Sequence, residues 1–368
     1  MRILMLPRYT TRGASSRYRL WQYVPGLRRA GHEVDIKPLM SDGYLTELYG
    51  TGRRGWRWLA VGYASRLLDA LHAGRYNAVM CEHEVFPFLP AAMELMVSKL
   101  NARFILDYDD AAHCKYERWP VLRKKIARLM AAAETVVVGN SHLAGYARKF
   151  TQHVTLIPTV VNLAAYPNHQ DAAPSSKIRI AWIGTPMTAN YLKPLIPELG
   201  RLQKKHPHVG FRFIGAGSFA ANGLRIESRE WSTATEGRLL SECDIGIMPL
   251  SDTEFTRGKC GLKLIQYMAC GLPVVASPVG VNRNLVEENR NGFLAANAGE
   301  WFEKLEALIE NAGLRKRLGE SGRRKVAAQY TVEHGLAKWL EILEKRSQQS
   351  QQQPQQIAET VAVQGVKL

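Results

Sequence analysis

The segment Arg257-Gly258-Lys259-Cys260-Gly261-Leu262-Lys263-Leu264-Ile265-Gln266 holds the densest set of chemically able residues in the chain. Its glycines make a loop, and an apolar helix with one polar face follows. Lys263 and Gln266 are three positions apart, so they share a helix face near its N-terminus. A cation and an amide there suit a diphosphate and a sugar hydroxyl. The alternative is a pair of solvated surface residues. Gly271-Leu272-Pro273 breaks the helix, and Val274-Val275-Ala276 reads as a buried strand.

Two other loops have small residues ahead of a helix. Gly13-Ala14-Ser15-Ser16-Arg17 follows the first apolar run, and Ile183-Gly184-Thr185-Pro186-Met187-Thr188 follows a later one. Such a loop offers free N–H groups, and the helix dipole favours an anion beside them. Arg17 adds a forked donor for phosphate. The first loop lacks the spacing of a nicotinamide fingerprint, and it also reads as a tight turn capped by Ser15 or Ser16. Asp107-Tyr108-Asp109-Asp110 ends a strand and is expected at the cleft, where its carboxylates would orient an acceptor or sugar hydroxyl or, as the less expected use, bind a divalent metal; helix capping by Asp109 or Asp110 is the alternative. Glu82-His83-Glu84 ends the preceding strand as another candidate acceptor contact.

Elements that position these residues follow from the pattern. Arg2–Pro7 is a strand, Arg17–Arg29 a helix stopped by Gly31, and Glu33–Leu39 an alternating strand. Ala78–Cys81, Arg103–Asp107 and Thr135–Val138 are further strands, separated by helices at Trp58–Ala73, Phe86–Leu100 and Val121–Ala133. This predicts a doubly wound α/β domain over residues 1–167. A polar linker, 168–176, precedes a second series over 177–329. Its strands are Ile178–Ile183, Gly210–Ile214, Ile245–Met248 and Val274–Ala276. Its helices are Tyr191–Lys204, Lys263–Ala269 and Trp301–Ala312. A last amphipathic helix, within 330–346, is expected to cross back to the first domain. The Gln-rich stretch 347–368 reads as a disordered tail.

Composition sets the outer limits. A chain of 368 residues suits two domains, and ordinary apolar and charged usage excludes a wholly disordered or fibrous chain. The formal charge of +16 asks for an anionic partner: nucleic acid, a membrane face or phosphorylated substrates. No helix-turn-helix, RNP or zinc-finger pattern is present, which argues against nucleic acid. Five cysteines without a CxxC point to reduced thiols and argue against a disulfide framework or a zinc knuckle. The N-terminus has no signal-peptide pattern, and no apolar run is long enough to span a bilayer. A cytoplasmic chain, peripheral to a membrane, is expected. Arg53-Arg54-Gly55-Trp56-Arg57-Trp58 leads into an apolar helix, a mixture suited to an anionic headgroup region. Lys115, Arg118, Arg123, Lys124, Lys125 and Arg128 form a second basic cluster. A solvated helix face is the alternative for both.

The run Gln266-Tyr267-Met268-Ala269-Cys270-Gly271-Leu272-Pro273-Val274-Val275 resembles the signature of the GT-B glycosyltransferases of family 4. Val279-Gly280, Asn291-Gly292-Phe293-Leu294, Leu27-Arg28-Arg29-Ala30-Gly31 and Asp244-Ile245-Gly246-Ile247-Met248-Pro249-Leu250 are similar to further parts of that family, and Ile157-Pro158-Thr159 to its interdomain crossing. Two departures stand out. Gly258 occupies the place of the family's first acid, and Gln266 that of the second, which usually holds ribose.

The resemblance implies a GT-B fold, two Rossmann-like domains facing each other across a cleft. It implies a retaining transfer of a hexose from a nucleotide diphosphate sugar to a saccharide or lipid-linked hydroxyl, with no cofactor. Lys263 and Asp109 would then be catalytic. Gly13, Ser15, Ser16, Arg17, Gly184, Thr185, Asn190, Lys259, Cys260, Gly261, Leu262 and Gln266 would bind the donor. An epimerase of the same fold, or a catalytically silent subunit that binds a partner, fits the same residues.

Overall fold

The computed structural model describes residues 1–171, 177–221 and 223–344. The tail at 347–368 and the linker residues 172–176 lie outside the described residues. Six strands make the first sheet: β1 (Arg2–Leu6), β2 (Glu33–Ile36), β3 (Ala78–Glu82), β4 (Phe104–Tyr108), β5 (Thr135–Val138) and β6 (Val154–Leu156). Their order is β2-β1-β3-β4-β5-β6, and every pairing is parallel. Six more make the second: β7 (Ile178–Ile183), β8 (Val209–Ile214), β9 (Ile226–Arg229), β10 (Ile245–Met248), β11 (Val274–Ala276) and β12 (Gly292–Leu294). Their order is β12-β11-β10-β7-β8-β9, again all parallel.

Parallel sheets are covered on both faces, so their strands read as unbroken apolar runs. β3 and β4 are buried at every position. Strand order reverses between β1 and β3 in one sheet and between β7 and β10 in the other. Loops that leave such switch points splay apart and leave a crevice at the carboxyl ends of the strands. Parallel register sets Glu82 beside Asp107 at this edge of the first sheet. The fold is GT-B: two Rossmann-like domains facing each other across a cleft.

Several elements differ from the sequence reading. The helix expected from Phe86 starts at Ala91, because Pro87 and Pro90 hold the preceding chain in a turn. Arg17–Arg29 is three short pieces, Ala14–Arg19, Trp21–Tyr23 and Val24–Arg29. Pro194 and Pro197 split the helix expected at Tyr191–Lys204 into a 3-10 segment, Thr188–Leu195, and an α-helix, Ile196–Lys205. A helix at Ala312–Gln329, mostly polar, was not anticipated.

The chain crosses between the sheets twice, and the crossings touch. Val161 N–H donates to Tyr330 O at 2.9 Å, and Val332 N–H to Val161 O at 3.2 Å. The returning chain is helical over 332–344. Its Trp339, Ile342 and Leu343 are buried with Ile3, Met5, Leu20 and Tyr23 under the first sheet. Arg103 seals its end by donating to the carbonyls of Ile342 and Leu343 at 3.0 and 2.7 Å.

Candidate functional site

The loop after β1 is pinned from beneath by Glu82 at the end of β3. One carboxylate oxygen accepts from Arg8 N–H at 2.8 Å and from Ser16 Oγ; the other accepts from Ser15 Oγ. Gly13 lies against Tyr9, whose side chain would sit 2.4 Å from any added Cβ, so this tight approach requires glycine. Ser15 reaches on to Asp109 at 3.2 Å. Asp109 also meets His83 Nε2 at 2.7 Å. Burial would raise the Asp109 carboxyl, but the His83 hydrogen bond and charge bring it down to about 2. Burial would lower His83, and Asp109 outweighs it, so the imidazole is raised above its ordinary value. His83 is stacked on Tyr108 and has a φ of +57°, a left-handed conformation that costs a bulky residue energy. Asp107, expected to share this role, is withdrawn: Arg19 clasps it at 2.8 Å with both side chains buried.

The second domain closes on these groups directly. Asn140 Nδ2 donates to the Gly258 and Lys259 carbonyls at 2.7 and 3.1 Å. Lys259 Nζ lies 3.3 Å from Asp110, and the Cys260 thiol donates to Asp109 O at 3.1 Å. A Cβ at Gly258 would meet Ala111 N at 2.8 Å, so an acid there would push the two domains apart. Gly261 begins the helix Leu262–Ala269 in the left-handed region, φ +70°. The first N–H groups of a helix have no intrahelical partner. Lys263 stands at this end, with Nζ 5.5 Å from the centre of the Trp182 ring. Burial, then repulsion from Lys259, lowers its ammonium to about 8.

Other expected donor contacts are committed elsewhere. The Gly184 N–H donates to Ile214 O and the Thr185 N–H to Thr188 Oγ1, both at 3.0 Å, so neither amide is free for phosphate. Asn190 is exposed and donates to Met187 O. Arg17 is not a free phosphate donor. It pairs with Glu236 of the second domain at 3.1 Å, between the rings of Tyr18 and Trp231. Tyr18 and Tyr166 both donate to Glu236, at 2.7 and 2.9 Å. Gln266 is 3% exposed and donates to those same hydroxyls at 3.1 and 3.0 Å. The amide expected at ribose is therefore part of a buried interdomain network. Nothing in the spacing of Arg17, Tyr18, Tyr166, Glu236 and Gln266 announces that they meet.

Two basic residues also turn inward. Lys125 is buried between Glu84 and Glu94, at 2.9 and 2.6 Å, and Lys115 pairs with Glu84 at 2.7 Å. Glu84 thus faces the interior and not the acceptor. Glu254, four residues before Gly258, lies between His142 and His113 at 2.9 and 3.4 Å. No helix among the described residues is long and apolar enough to cross a membrane.

Comparison with known proteins bears on the fold and on the second domain. Residues 177–311 match the family model for glycosyl transferases, group 1. Spore coat protein SA of Bacillus subtilis is 30% identical over 167 residues, 41% of this chain and 44% of that protein. The chain spans less than half the length of the curated relatives it matches. Among solved structures, sucrose-phosphate synthase from Thermosynechococcus elongatus superposes with a TM-score of 0.71 at 16% identity, covering 94% of this chain and 98% of that one. Anabaena HepE, solved with UDP and glucose, superposes at 0.65 and 15% identity, covering 94% and 100%. Residues 177–311 thus match the group 1 glycosyltransferase model, within a chain whose two-domain fold is GT-B.

Proposed function

We propose that the protein is a glycosyltransferase that moves a hexose from a nucleotide diphosphate sugar to a hydroxyl acceptor, with retention at the anomeric carbon. One observation carries this reading. Lys259 of the second domain reaches Asp110 of the first at 3.3 Å, and Lys263, at the start of the next helix, feels both charges. Positive charge on one wall and carboxylates on the other suit a donor diphosphate facing an acceptor. The family match of residues 177–311 supports it, as does the binding of UDP and glucose by HepE.

In this reading Lys263 and the helix N-terminus stabilise the departing diphosphate, where negative charge grows as the glycosidic bond breaks. The diphosphate takes the proton of the acceptor hydroxyl. Asp109, held by His83 and Ser15, orients that hydroxyl. Lys259 releases Asp110 and turns to phosphate when donor enters. Gly13, Ser15 and Ser16 shape the loop over the donor, and Cys260, Gly261 and Leu262 shape the helix start. No cofactor is needed.

The acceptor is a saccharide of the cell envelope or one linked to lipid, reached at the cytoplasmic face of an anionic membrane. Support comes from the exposed face of the helix Trp56–Leu71 and the arginines beside it.

Melting the full chain with a panel of nucleoside diphosphates tests donor binding. A specific nucleotide at a hundred times its Kd should stabilise the fold by about 2.7 kcal/mol. Absence of a shift with every nucleotide and nucleotide sugar would overturn the reading.

A further inference from the structure

At the seam, on the turn that follows Asp110, one ring nitrogen of His113, the Cys114 sulfur and a Glu117 carboxylate oxygen all lie within 4.8 Å of one another. They come from the single turn Ala112–Tyr116 and the residue after it. The His113 ring is fixed by stacking on Tyr146, centroids 3.8 Å apart and planes 9° apart. Its Nε2 faces Glu254 of the second domain at 3.4 Å, and His142 Nε2 meets the same oxygen at 2.9 Å. Among the described residues, no lysine or arginine forms an ion pair with Glu117 or Glu254.

The other cluster of similar shape is already neutralised. His206, Glu306 and Glu310 also come within 4.8 Å, but Lys205 Nζ lies 2.9 Å from Glu306 and supplies the cation there. That cluster also lacks sulfur.

We propose that His113, Cys114 and Glu117 bind a zinc ion at the domain seam, with water as fourth ligand and Glu254 as the hydrogen-bond acceptor that orients His113. The donor set is one nitrogen, one sulfur and one oxygen, which suits a tetrahedral, borderline-soft cation better than magnesium or calcium. With Nε2 turned to Glu254, the ring ligates through Nδ1. A carboxylate on the second nitrogen of a ligating histidine fixes the ring and raises its basicity. The thiol binds as thiolate, so its proton passes to the solvent when the metal enters. Because the orienting carboxylate belongs to the other domain, the ion ties the two domains together. The proposal stands whether or not the cleft transfers a sugar.

The test uses the full chain, stripped with chelator and titrated with zinc chloride by calorimetry, and then with cobalt(II). One zinc per chain is expected, together with a thiolate-to-cobalt charge-transfer band. Cys114→Ser should abolish the band, and His113→Ala should abolish tight binding. Glu254→Gln should weaken zinc on the order of tenfold or more. His206→Ala should change nothing. The cobalt spectrum reads the wild-type chain, so it stands even if a variant folds poorly. Absence of binding, a cobalt spectrum without a thiolate band, or loss of zinc with His206→Ala would each overturn the site.

Discussion

Lys263 is the residue on which the proposed chemistry turns, and its environment makes a signed prediction. Its ammonium, lowered by burial and by Lys259, loses its proton near pH 8 and not near 10.5. Affinity for a nucleoside diphosphate should fall as pH rises through about 8, by up to about tenfold per pH unit. Lys263→Arg, permanently charged, should flatten that fall. Titration across the range checks this, and a level wild-type profile would count against a contact to phosphate. Stability moves the other way. Between about 8 and 10.5 the unfolded chain keeps the proton that the folded chain has lost, so stability rises with pH there. Spacing alone placed Lys263 and Gln266 on one helix face. It did not separate their fates, because burial of Gln266 under Tyr18 and Tyr166 depends on residues about 100 and 248 positions away. The His83–Asp109 pair was half visible: both belong to acidic runs that end strands, but their pairing needs the register of β3 against β4.

Elements were legible where they are buried on both faces. β7, β10 and β11 fall where apolar runs place them. Short or polar edge strands, β6, β9 and β12, carry too little pattern to stand out. The helix Ala312–Gln329 hid for a related reason. It buries only Leu318, Gly319, Gly322 and Val326, so its periodicity is faint. The opposite case is the helix Trp56–Leu71. Trp56, Val61, Leu68 and Leu71 are 80, 66, 60 and 52% exposed, although Arg66 on its other face is buried and donates to Pro7 O at 2.7 Å. An apolar face beside Arg53, Arg54 and Arg57 suits an anionic headgroup layer, where each cation adds about 1 kcal/mol. The full chain should co-sediment with vesicles containing phosphatidylserine, less so in high salt. A Trp56→Ser, Leu68→Ser variant should lose most of that binding. Equal binding of the variant, or of wild type to neutral phosphatidylcholine vesicles, would refute the membrane face.

At the scale of the whole molecule, each domain sends a residue into the other's core. Cys260 packs with Tyr108 and Ala111 of the first domain, and Tyr18 with Ile265 and Tyr267 of the second. Gly258 permits this closure, and the Arg17–Glu236 pair locks it. Two domains follow from the alternation of strands and helices along the chain, and the cleft between them from the resemblance to GT-B enzymes. How tightly the walls meet does not, because it rests on contacts between residues far apart in sequence. Removing one member of a buried ion pair leaves the other charge uncompensated and costs about 3–5 kcal/mol. That closure brings Lys259 to Asp110 and places Lys263 in the field of both, and sugar transfer is the claim it serves. The direct measurement is transfer from a panel of nucleotide diphosphate sugars by wild type and by Lys263→Ala, with folding of the variant confirmed by its melting point. Wild type should transfer from at least one donor, and the variant should lose on the order of 10²–10³ in kcat. Equal turnover by the variant, or no turnover by wild type with any donor, would contradict the account.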